Sequence, residues 1–132
     1  MIELRDVLHP YLKAIHPRIF FQEKPDQIPD PKNPSQTIPT PMPYAVYNIS
    51  IYDDGESTQT VTLEIDGWTD QNDTTELENL MKAIDNGINK QPIVVEGLLV
   101  VFFRDNKFAF LENEKKFHRR RYSYTGYLHG RS

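Results

Sequence analysis

Four histidines, His9, His16, His118 and His129, are the side chains best suited to binding a metal or moving a proton near neutral pH. His9 and His16 stand seven residues apart and could share one face of a helix. No acid accompanies them at the spacing of an H-E-x-x-H site, so no metal site is expected. The chain has no cysteine, which excludes thiolate nucleophiles, disulfides and cysteine-based zinc sites. A serine nucleophile on a strained turn would need a G-x-S-x-G stretch, and none occurs. The adjacent carboxylates Asp53 and Asp54 precede Gly55, where aspartate is expected for turn chemistry. The six glycines are scattered and form no phosphate loop. These residues imply no catalysis and no cofactor; the expectation is a non-enzymatic protein that works by contact.

Two segments could make contacts. The first is FHRRRYSYTGYLHGR, from Phe117 to Arg131. Arg119, Arg120 and Arg121 could neutralise phosphates, and the tyrosines could stack on bases. Against nucleic acid, the sequence pI is 5.5, whereas a dedicated binder carries a positive footprint. Tyr122 and Tyr124 also alternate as core residues of a strand do. A protein interface fits better, because arginine and tyrosine often anchor interfaces. The second segment, 23–43, reads EKPDQIPDPKNPSQTIPTPMP and holds seven prolines in 21 residues. Proline fixes φ and cannot donate to a ladder, so neither a helix nor a central strand is expected there. It reads as a mobile surface loop or as a contact arm that orders against a partner. Pro25, Pro29, Pro31, Pro34, Pro39 and Pro41 are its candidate contact residues. Stiff proline lowers the entropy lost on ordering.

These segments need a scaffold. A chain of 132 residues suggests one domain, 1–132, with a core sufficient without staples. The longest apolar run, Leu98–Phe103, is six residues, against the ~20 that a membrane helix needs. The charged start MIELRDVLHPYLK does not read as a signal peptide, so a soluble protein made in cytoplasm is expected, with no membrane partner. The net charge of −4 is unevenly placed. From Lys107 onward, seven Lys or Arg face two acids, a net of +5, which leaves −9 on the rest. Such a chain can associate head to tail or dock on charged partners, although both sets could equally be solvated faces.

Leu4, Leu8, Leu12 and Ile15 predict a helix over 2–16, with Pro10 either kinking it or starting a new turn. Arg18–Gln22 fits a short strand. Tyr44–Tyr52 and Thr58–Trp68 alternate as an antiparallel hairpin with one wet face, turning through Asp53–Ser57. Asp73 with Glu76, or Thr75 with Glu78, has capping-box spacing. The stripe Leu77, Leu80, Met81, Ile84 and Ile88 follows, and Gly87, Asn89 and Pro92 mark the helix end. Ile93–Val95 is a short strand. LLVVFF, 98–103, reads as a strand buried on both faces. Asp105-Asn106 suggests a two-residue hairpin turn, with 107–112 returning beside it. Phe117–Leu128 is the last strand, with Tyr122, Tyr124 and Leu128 inward and Arg119 and Arg121 outward.

This order resembles that of the small tail-completion proteins of long-tailed bacteriophages, the tail terminators or head–tail joining proteins. The residues that carry the resemblance are YAVYNISIYD, the V-x-L-x-I-x-x-W end of the second long strand, DGWTD before the capped helix, and the closing RRRYSYTGY. The resemblance covers most of the chain. It implies an α+β fold, with two helices packed on one side of an antiparallel sheet and a long proline-rich loop. It also implies a virion structural protein that caps the tail tube and mediates head–tail joining. Such proteins act as rings, commonly of six copies on the tail, and their partners are the tail tube protein and the head connector proteins. The alternatives are a connector adaptor or minor capsid component, and, from another class, a nucleic-acid-binding module using the basic strand.

Overall fold

Alternating apolar residues build the sheet, and two amphipathic helices cover one face of it. A computed structural model describes residues 2–22, 27–52, 58–95, 98–112 and 117–129. The elements are α1 (Ile2–Ile15), β1 (Ile19–Phe21), β2 (Gln27–Pro29), β3 (Thr37–Pro39), β4 (Tyr44–Tyr52), β5 (Thr58–Thr69), α2 (Thr75–Ile88), β6 (Pro92–Val95), β7 (Leu98–Glu112) and β8 (Phe117–His129). Six strands form one sheet in the order β1-β4-β5-β8-β7-β6. Every pairing in it is antiparallel except β1 with β4. This is the expected α+β fold, with that one parallel pair added.

The inner face is set by register. Tyr47 lies opposite Ile65, and Leu63 opposite Tyr124. These four side chains are buried with Val100 and Phe102 of β7, Leu8 and Leu12 of α1, and the whole apolar stripe of α2, Met81 included. α1 runs unbroken through Pro10. Pro10 and Asp6 are exposed, so the carbonyl that loses its partner lies on the solvent side. The helices cross at Gly87, where a Cβ would stand 2.6 Å from Ile15 Cδ1. Tyr11 Oη donates to Gly87 O at 2.6 Å. Gly87 therefore serves a close helix–helix approach, and the chain leaves the helix at Asn89. The expected capping box is not formed: Thr74 is the N-cap, and Asp73 Oδ1 instead accepts from Thr75 N at 3.0 Å.

Two further expectations are corrected in β7. Asp105 and Asn106 do not turn the chain; β7 continues to Glu112, with a bulge between Arg104 and Asn106. Asp105 is the unpaired residue of the bulge, and its carboxylate accepts from Thr125 Oγ1 on the neighbouring strand. The bulge reverses the phase of the strand. Arg104 faces α2, with its guanidinium 2.6 Å from Asp85 Oδ2. Beyond the bulge Lys107 faces inward, 5.0 Å from the Tyr122 ring centre. LLVVFF is also not buried on both faces. Val100 and Phe102 are buried, but Phe103 is 46% exposed, because no layer covers its side of β7 there.

The proline-rich segment is not without structure either. β2 and β3 form a separate two-stranded antiparallel hairpin, with Ile28 opposite Ile38. Its turn is held by Asp30 N donating to Gln36 O at 2.9 Å and by Asp30 Oδ1 accepting from Lys32 N at 2.9 Å. Asp53–Ser57 and Pro25 lie outside the described residues.

Candidate interaction surface

The three arginines sit on β8, between β5 and β7, and part to both faces of the sheet. Arg121 lies opposite Asp66 on β5, and its Nε is 2.8 Å from Asp66 Oδ1. A second bond joins the same carboxylate, with NH2 3.1 Å from Oδ2. Glu64 Oε2 stands 3.8 Å away. The hydrogen bond to Asp66 is the main reason the Arg121 guanidinium is held above its ordinary pKa. Arg120 points to the helix side and donates through Nε to Glu78 Oε1 at 2.5 Å. Arg119 lies opposite Trp68, its guanidinium carbon 5.1 Å from the indole centre. Trp68 in turn meets Phe117 edge-on, ring centres 6.5 Å apart. Thus Arg119 and Arg121 share the outer face as expected, and each arginine has a partner within its own chain.

His9 and His16 are each held by a hydrogen bond within the fold. His9 Nδ1 is 2.7 Å from Tyr47 Oη, and that phenol is pushed up to about 12, mainly by burial. His16 Nδ1 accepts from the backbone N–H of Arg18 at 3.0 Å. Burial, then Arg18 and Lys13, lower its pKa below the ordinary 6.5. Among the described residues, no group of three or more His, Cys, Asp or Glu could hold a metal ion. No helix among them is long and apolar enough to cross a membrane.

Pro29 and Pro39 lie in the hairpin strands. Pro31 and Pro34 lie on its exposed turn, and Pro41 follows it, half-buried. The hairpin forms a small sheet of its own, whereas the arginines lie on the six-stranded sheet.

Sequence reading missed a third feature. On the outer face, Val94 is 66% exposed, Tyr127 50% and Phe103 46%. Val94 lies opposite Leu99, and Tyr127 opposite Val101, so these five side chains run together across β6, β7 and β8. The signal was available: LLVVFF is apolar on both phases, but only one phase had a helix to cover it.

The fold is shared with a chain from the virion of a native gene transfer agent particle. The likeness has a TM-score of 0.68 and covers 96% of this chain and 95% of that chain, at 12% sequence identity. No protein-family model and no curated protein matches the sequence.

Proposed function

We propose that this chain is a structural protein of a phage-like virion that completes the tail and supports head–tail joining. It acts as a ring of subunits, commonly six, between the tail tube protein and the head connector. No catalytic step is assigned to it. The observation that carries the reading is the end-to-end likeness to a virion chain. The element order and the closing arginine–tyrosine strand support the tail-completion part. The proline hairpin and the uneven charge suit a ring, in which one patch meets a different patch on the neighbour.

A connector adaptor or minor capsid component is the nearest alternative, since the likeness names a virion and no station within it. Nucleic-acid binding is weaker, because Arg120 and Arg121 already hold carboxylates. Electron microscopy of the protein mixed with head-free tail tubes tests the proposal. Density confined to one tube end is the expected result. Binding to portal-bearing heads instead moves the protein to the connector, and binding to neither rejects both stations.

A further inference from the structure

We infer that the β2–β3 hairpin of one subunit seats Ile28 and Ile38 on the outer apolar face of β6–β8 in a second copy of this chain. The inference rests on the ring reading and names its contact.

The hairpin must bind through side chains. Asp30 N donates to Gln36 O, which makes 30/36 a hydrogen-bonded pair. Antiparallel pairs alternate, so 28/38 is also bonded, while 29/37 and 27/39 turn their backbone groups outward. Pro29 and Pro39 occupy one outward position on each strand and have no N–H there. Each edge therefore lacks a donor in its outward row, which works against regular strand addition to either edge. What the hairpin offers is a face, and directly opposed Ile28 and Ile38 are its large apolar side chains.

The receiving surface is Val94, Leu99, Val101, Phe103 and Tyr127. It is apolar and left uncovered by the subunit's own helices, which pack on the other face. Exposed apolar patches of this kind mark interaction sites.

Strand order selects a second copy as the occupant. The hairpin is inserted between β1 and β4, at one edge of the sheet, while the patch lies toward the β6 edge. A subunit docking by its hairpin leaves its own patch open for the next, which is the head-to-tail relation a ring requires. The charges agree in sign: 98–129 carries seven Lys or Arg against three acids, net +4, and 23–43 carries three acids against two lysines, net −1.

The absence of cysteine permits a direct test. One population carries Ile38→Cys; others carry Phe103→Cys, or Glu76→Cys on exposed α2 as the control. The populations are mixed with head-free tail tubes and oxidised mildly. The expected result is a 38–103 disulfide at about ten-fold or more the yield of 38–76, from the raised effective concentration of a seated pair. Ile28→Ser/Ile38→Ser is expected to melt as the native chain does and to lose self-association. Equal disulfide yields on rings that microscopy shows intact would overturn this contact and leave the ring standing. A chain that never associates with itself, on tubes or alone, would overturn both.

Discussion

Arg121 and Asp66 face each other across β8 and β5 and are joined by two parallel hydrogen bonds, of 2.8 and 3.1 Å. This fork ties the two central strands on the face that the helices leave bare. Arg121→Ser leaves a largely covered carboxylate without its cation. The expected loss is about 1–2 kcal/mol in urea unfolding. Arg120→Ser, whose partner Glu78 is half-exposed, is expected to lose about 0–1 kcal/mol. An Arg121 variant of undiminished stability, defective only in assembly, would make that residue a contact group instead.

Gly126 lies opposite Phe102, and an added Cβ would stand 2.7 Å from the ring and 3.0 Å from Val101 O. The ring is fully buried and the oxygen is backbone, so neither yields cheaply. Gly126→Ala is expected to destabilise by roughly 1–3 kcal/mol, as overpacking does. Chemical denaturation compared with Ser123→Ala, half-buried on the outer face, reads the difference.

His16 makes stability depend on pH. Its pKa in the folded chain lies below the ordinary 6.5, chiefly through burial. As pH falls through 6.5, the unfolded chain takes up the proton first, so its contribution is intact above that value and declines below it. Protonation at Nδ1 also removes the acceptor for Arg18 N–H. The melting temperature is expected to be lower at about pH 5.5 than at about pH 7.5. His16→Asn, which keeps an acceptor but does not titrate, is expected to flatten part of that slope.

Pro29 and Pro39 withhold outward donors from the hairpin edges. Pro29→Thr/Pro39→Thr restores them in strand-forming residues. Light scattering is expected to show concentration-dependent association beyond any ring the native chain forms. Unchanged scattering would mean that the prolines serve the turn alone.

The helices and long strands were legible because their periods differ: 3.6 along α2 and 2 along β4, β5 and β8. The inward tyrosines and outward Arg119 and Arg121 followed from the same alternation. Asp105-Asn106 was misread because turn residues and bulge residues share a chemistry; only pairing with β8 decides between them. The proline segment concealed a hairpin because local rules forbid proline at bonded positions only, and register is not local. Partners of Arg120 and Arg121 lie 42 and 55 residues away, beyond any spacing rule. The exposed patch was hidden because apolar residues are assumed covered.

The extra residue at Asp105 divides β7 into two separately phased halves. Upstream, Val100, Phe102 and Arg104 lie on the helix side; downstream, Lys107 does, opposite Tyr122. Asp105 has no partner in β8, so deleting it would bring Arg104 and Asn106 into direct succession while Lys107 stayed opposite Tyr122 and Phe108 opposite Arg121. A single-codon gap at this position therefore straightens the ladder and keeps both of its faces. Related chains shorter by this one residue would present the same sides to their neighbours and lose only the carboxylate that meets Thr125.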